Sequence, residues 1–152
     1  MTRPTYENDG HLKDEEICID AVEAVWGVAC VKTPRYYKID YCVVDPSNRV
    51  VGWIEIRCKN FARAQYKTFY TSLEKYLSVC RAQYATARPA FLLVKWSDGI
   101  FIYRVNAQDL TRREITVGGR TANSRGDDQD IEPVIHIPIA EFIKLSDARN
   151  PF

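Results

Sequence analysis

The sequence predicts an α/β fold, a mixed central sheet flanked by helices, with its elements in the order αββαββ. Three observations carry this. A helical apolar period at 14–26 precedes two strand-like runs joined by a Pro-Ser-Asn turn. A longer helical period follows at 61–85. Two further apolar runs are then joined through Ser97-Asp98-Gly99, and Asp-Gly is a strong short-range hairpin signal.

The 152 residues are long enough for one substantial core and read as a single domain over 1–152. With 46% hydrophobic and 27% charged residues the composition is that of an ordinary soluble globular chain. No run approaches the roughly 18 consecutive apolar residues of a membrane span, and the opening MTRPTYENDGHLKDEE lacks a signal-peptide core. A cytoplasmic location is expected. The five cysteines are odd in number and four sit in apolar periodic stretches, which reads as reduced core thiols. No C-x-x-C occurs and the histidines are only His11 and His136, which argues against zinc. At net charge +1, any nucleic-acid binding has to come from a local basic patch.

Residues 1–12 form a polar N-terminal arm. In the predicted first helix, Asp14 to Trp26, the residues Glu15, Cys18, Val22 and Val25/Trp26 share a face. Asp14 suits the N-cap and Gly27 the C-terminal cap. Glu15 lies at the polar end of this stripe with Glu16 beside it. These acids either answer the helix dipole or contribute to a site.

The stretch from Tyr36 to Asn60 reads as two strands. A turn centred on Ser47-Asn48 sets Val44 opposite Val51, Cys42 opposite Trp53, and Asp40 opposite Glu55. Opposed residues share a sheet face with Cβ atoms roughly 4.5–5.5 Å apart, so the two carboxylates repel unless a positive charge sits between them. Alternation puts Lys38, Arg57 and Lys59 on the same face. Near the turn that face is apolar (Cys42, Val44, Val51, Trp53), and the other face carries Tyr37, Ile39, Tyr41, Val43, Ile54, Ile56 and Cys58. A sheet apolar on both faces is covered on both. The charged end then lies at the margin of a covering layer, where a cleft opens.

The second helix is expected from Phe61 to about Ala85, with an apolar stripe of Ala62, Tyr66, Phe69, Tyr70, Leu73, Leu77, Cys80 and Tyr84. Lys67 points away from it and Lys75 stands at its flank. The run AFLLVKW is nearly all apolar and should be a central strand, paired with IFIYRV. Residues 107–130 read as a loop-rich insertion with a short strand around Glu114 to Val117 and arginines at 112, 113, 120 and 125. It is either a solvated excursion or a basic loop touching phosphates. Val134 to Ile137 reads as strand, and Ala140 to Leu145 as a short helix after Pro138.

With IDY at Asp40 and EIRCK at Glu55 to Lys59, the sequence resembles the PD-(D/E)XK nuclease superfamily, which includes restriction endonucleases and Holliday-junction resolvases. In element order the resemblance spans roughly 14–105. A closer similarity is to bacteriophage-borne members. It covers IDY, the GWIEI-x-C-K strand, TSLEKY, FLLVKWSDGIFIYRV and GGRTANSRGDDQDIEPVIHIP. The resemblance implies a restriction-endonuclease-like core and a Mg²⁺-dependent DNA endonuclease, with Mn²⁺ as a substitute. Asp40 and Glu55 would be metal ligands, with Glu15 or Glu16 as an auxiliary acid and Arg57 or Lys59 stabilising charge. Lys67, Lys75, Arg112, Arg113, Arg120 and Arg125 would bind phosphates, and many superfamily members act as homodimers.

The chemistry supports the analogy. Phosphodiester hydrolysis needs a cation that neutralises phosphate charge and lowers the pKa of the attacking water, and Mg²⁺ takes one or two carboxylates plus waters and substrate oxygens. The departure is that Arg57 holds the lysine position and the lysine comes two residues later. Arginine stays protonated, so it stabilises charge but cannot act as a base. Lys59 lies roughly 6–7 Å further along the strand, and either it or Lys75 would have to reach back. The alternative is a salt-bridged quartet of Asp40, Glu55, Arg57 and Lys38 in a catalytically inactive module that binds nucleic acid or a protein partner, a phage accessory factor.

Overall fold

The computed structural model describes residues 9–119 and 131–152. Helix α1 (Asp9–Trp26) leads into a three-stranded antiparallel meander, β1 (Ala29–Lys32), β2 (Tyr41–Val44) and β3 (Val50–Cys58). Strand β4 (Thr68–Ser72) and helix α2 (Leu73–Thr86) follow, then the hairpin β5 (Ala90–Trp96) and β6 (Gly99–Arg104). The chain ends with β7 (Ile115–Gly119), β8 (Ile131–Pro138) and the two-residue β9 (Ile143–Lys144).

Among the described residues the main sheet has six strands in the order β1-β2-β3-β5-β6-β9. It is mixed: β3 and β5 run parallel, and the other pairings are antiparallel. The expected central position of AFLLVKW holds, since β5 lies between β3 and β6 with every residue buried or half-buried. Both faces of the sheet are covered. On one, Cys18, Ile19, Val22 and Trp26 of α1 pack on Tyr41, Val43, Ile54 and Ile56. On the other, Tyr76, Val79 and Cys80 of α2 join Leu92, Val94 and Trp96. That second core extends into a separate sheet, β4-β8-β7, through Phe69, Ile135 and Ile137.

Several expectations need correction. Helix α1 begins at Asp9, so Asp14 is an interior residue and not the N-cap. Gly27 does end the helix, at φ 63°, a left-handed conformation that costs glycine little. Strand β1 was not anticipated, and it pairs with β2 over Ala29 to Lys32. The segment before Tyr41 is not strand, and Tyr36 and Tyr37 are exposed. The turn register holds at Cys42↔Trp53, but a bulge between Val43 and Val44 pairs Val44 with Val50 instead of Val51.

The largest departure is at 61–85. Residues 68–72, TFYTS, form β4 with alternating burial, as β-branched and aromatic residues at a two-residue period favour. The helix starts only at Leu73, where the Ser72 hydroxyl accepts from Lys75 N as an N-cap. The predicted stripe took its phase from Phe69 and Tyr70, which are strand residues. The true buried face is Tyr76, Val79 and Cys80, while Leu77 and Tyr84 are exposed. The expected helix at 140–145 is instead two 3₁₀ turns flanking β9.

Candidate active site

The pleat of β3 places Glu55 and Arg57 on the face covered by α2. In the parallel register they stand beside Leu92 and Val94 of β5, both in the core on that side. Asp40 immediately precedes β2, one step beyond the Tyr41↔Ile54 pair, which puts it level with Glu55. Thr33, just past β1, fixes this approach. Its amide donates to Asp40 O at 3.0 Å, and its hydroxyl donates to the Asp40 carbonyl at 2.9 Å and to the Ile39 carbonyl.

The two acids are held reciprocally. Asp40 N donates to Glu55 Oε2 at 3.1 Å, and Ile56 N donates to Asp40 Oδ2 at 2.9 Å. Each carboxylate thus satisfies a backbone donor on the opposite strand, and one oxygen of each is fixed. Arg57 supplies the positive charge that their proximity requires. Its Nη2 lies 2.9 Å from Glu55 Oε1 and its Nη1 3.8 Å from Asp40 Oδ2, while Nη1 donates to the Ile56 carbonyl at 2.7 Å. The contact with Glu55 is close but not aligned as a hydrogen bond, so the buried Oε1 has no hydrogen-bond partner.

Glu55 is 1% exposed, whereas Arg57 keeps 30% of its side chain in solvent. Burial is the main cause that raises the Glu55 carboxyl from 4.5 to about 7, and Asp40 adds to it; Arg57 and Lys75 pull the other way. A carboxyl in this range exchanges its proton near neutrality.

Of the lysines expected to reach back, Lys75 comes near. It projects from the first turn of α2 to place Nζ 3.9 Å from Glu55 Oε1. Lys59 instead lies over the rings of Phe69 and Tyr70, with Nζ 5.6 and 5.7 Å from their centroids. Burial and the neighbouring Arg57 lower its pKa. Lys38 is not part of a quartet, because it turns to Glu74 at 3.8 Å. Glu15 is bonded to Lys32 at 2.9 Å and Glu16 is exposed on α1. Among the described residues no three His, Cys, Asp or Glu side chains form a group that could hold a metal, so these helix acids do not converge with Asp40 and Glu55.

The arginines of the insertion divide. Arg113, expected to bind phosphate, is only 4% exposed, with Nη1 and Nη2 at 2.6 and 2.7 Å from the two oxygens of Glu141. Its Nη2 also donates to the Tyr103 hydroxyl, which donates to Asp109. Arg112 is held by Asp109 at 2.6 Å and remains largely exposed. Arg120 and Arg125 lie outside the described residues, and Lys67 is exposed. Sequence reasoning missed the Arg113–Glu141 network because its partners are far apart in the chain. It missed Thr33 because β1 carried no strand signal.

An α1 helix, an antiparallel meander and a parallel strand beyond α2, with acids just before β2 and within β3, are the arrangement of the PD-(D/E)XK nuclease fold. The match to known proteins agrees. The chain belongs to the family described as "Phage putative PDDEXK endonuclease", whose model matches residues 1–145. Among solved structures it is similar to Hjc, a Holliday junction resolvase from the archaeal hyperthermophile Archaeoglobus fulgidus. That likeness has a TM-score of 0.51 at 11% identity and covers 89% of this chain and 96% of that one. It is a likeness of fold. No curated protein matches this sequence.

Proposed function

We propose that the chain is a divalent-metal-dependent endonuclease acting on DNA, with Asp40 and Glu55 as the metal-binding carboxylates. The observation that carries this reading is Glu55 Oε1, a buried carboxylate oxygen beside Asp40 that meets Arg57 and Lys75 as ion pairs but accepts no hydrogen bond. A coordinated metal ion would give that oxygen the directional partner that the Arg57 contact does not supply. The donor set suits Mg²⁺, which takes one or two carboxylates and keeps several waters; Mn²⁺ is expected to substitute. When bound, the ion would neutralise phosphate charge and lower the pKa of the attacking water.

The chain's own residues supply the rest. Ile56 N and Asp40 N orient the two carboxylates. Arg57 and Lys75 present positive charge to the scissile phosphate as its own charge develops. Lys75 takes the role that the superfamily gives to a lysine two residues after the strand acid, and it can also orient a water. Glu15, Glu16 and Lys59 have no place at the reacting atoms in this reading. Lys67 and Arg112 remain exposed cations suited to flanking phosphates. Action as a homodimer would set two such sites on one substrate, and light scattering with and without DNA checks it.

Plasmid DNA incubated with the protein in Mg²⁺ or Mn²⁺ should be nicked or linearised. Glu55→Ala should reduce the rate by more than the roughly 10–100-fold that losing an outer-sphere partner costs. A protein that cuts no nucleic acid and binds no divalent ion sinks the proposal. One observation favours a second reading, a catalytically inactive module: Arg57 already lies against both carboxylates. Calorimetry with Mn²⁺ separates the two, since heat that disappears in Asp40→Ala belongs to the nuclease and its absence to the inactive module.

A further inference from the structure

Beside the paired acids, the chain that leads into β2 and the exposed face of α2 enclose a groove of about 410 Å³. This is within the range of small-ligand sites. Its walls include Tyr36, Tyr37, Lys38, Trp53 and Arg81, and none of its lining residues is acidic. Tyr36 and Tyr37 are 76% and 52% exposed, a costly arrangement for two adjacent aromatic side chains with no core to fill. Arg35 lies 5.8 Å from the Tyr36 ring centroid, which adds a third cation at the rim. The Trp53 indole is fixed by a 3.1 Å bond from Nε1 to the Thr86 hydroxyl. At this rim Lys38 pairs with Glu74 at 3.8 Å.

The groove adjoins the candidate active site along two chain segments. Lys38 and Ile39 run directly into Asp40. Trp53 stands two residues before Glu55 on the same strand face, a rise of roughly 6.6 Å. That is on the scale of one nucleotide step. Exposed aromatic faces bordered by cations are the chemistry that holds unpaired bases: the ring stacks on the base and the cation answers the backbone phosphate.

We propose that this groove binds an unpaired nucleotide next to the scissile phosphodiester, its base stacked against Tyr37 and its phosphate answered by Arg81 and Lys38. The enzyme's substrate is then DNA with single-stranded character at the cut. The proposal rests on the nuclease reading of Asp40 and Glu55, and deepens it by naming the kind of substrate.

The test measures binding without cleavage, by fluorescence anisotropy of labelled oligothymidine and of a blunt duplex in EDTA at low salt. Wild-type protein should bind the single strand at least about tenfold more tightly than the duplex. Tyr37→Ala should weaken single-strand binding by about five- to hundredfold, the range seen when a stacking aromatic is removed. Arg81→Ala should weaken it less and reduce its salt dependence. Tyr84→Ala, on the same helix but outside the groove, should change nothing, and all variants should keep the wild-type melting temperature. Unchanged affinity in Tyr37→Ala, an equal loss for the duplex, or no binding of the single strand overturns the proposal. The two readings fail separately. A protein that cuts plasmid but binds oligothymidine independently of Tyr37 loses only the groove. One that binds through Tyr37 but never cuts loses only the nuclease.

Discussion

Among the described residues an arginine meets two carboxylates at Glu55–Arg57–Asp40 and again at Arg113–Glu141–Asp109. The two clusters use the same groups to opposite ends. In the second the cation is buried and its fork meets Glu141 with two short bonds. Arg113 holds the Glu141 carboxyl below its ordinary range, and the remaining buried polar atom without a partner there is a single donor, Arg113 Nε. In the first the anion is buried while its cation sits partly in solvent and out of line. Burial wins there, and the carboxyl rises to about 7. A satisfied fork makes a structural fastening. A buried acid with a loosely placed cation makes a group still able to exchange protons and ligands.

The contrast can be broken at four points. The largest effect belongs to the fastening: Arg113→Ala should cost about 3 kcal/mol, since it removes the charged hydrogen bonds to Glu141 and the bond to the buried Tyr103 hydroxyl, read as a lowered urea midpoint. If that variant melts like wild type, the cluster is not structural. Glu55→Gln comes next. The folded-state carboxyl is raised from 4.5 to about 7, so its stabilising contribution is complete below about pH 4.5 and is lost as pH rises through 7. Wild-type stability should therefore fall by about 3 kcal/mol from this group between pH 4.5 and 8, and Glu55→Gln should flatten that part of the profile.

If Glu55 is a metal ligand as proposed, metal affinity should run the other way, since a ligand must first lose its proton. Calorimetric Mn²⁺ affinity should rise about tenfold per pH unit below 7 and level off above. Arg57→Ala should move the levelling to higher pH, because Arg57 is the largest influence holding the carboxyl down. A shift to lower pH would show that Arg57 does not act on Glu55 as described. The smallest effect should come from Arg112→Ala. Its partner Asp109 is shared with Arg113, but Arg112 is 60% exposed, so solvent screens the pair and the urea midpoint should barely move. Adjacent arginines should thus differ several-fold in cost.

Much of the site was legible because it rests on local geometry. A short turn fixes strand register, so Asp40, Glu55 and Arg57 could be placed together from the Pro-Ser-Asn turn alone. The turn is centred on Ser47 and not between Ser47 and Asn48, and the bulge at Val43/Val44 offsets that half-step, so the acids still meet in the expected register. The Asp-Gly turn similarly exposed β5 and β6. Contacts between distant segments were not legible. Strand β1 is four residues with one half-buried position, too little alternation to register. Strand β4 was absorbed into a helix because Tyr66, Phe69 and Tyr70 also satisfy a three- and four-residue spacing, and only the second sheet decides between the periods. Glu15 could be aligned with the apolar stripe of α1, but no sequence pattern shows that it would meet Lys32.

Asp40 N donates to the Glu55 carboxylate and Ile56 N to the Asp40 carboxylate, so the two bonds cross between the segments. Each acid replaces a rung that the hairpin lacks at that point, so each answers to the fold as well as to the chemistry. A lineage that stopped cutting DNA would still be held to both residues, since losing either strands a backbone donor on the opposite chain segment. Inheritance of the acid pair therefore records the hairpin, and the more telling trace of a working or abandoned enzyme is what happens to Lys75, which no backbone group requires.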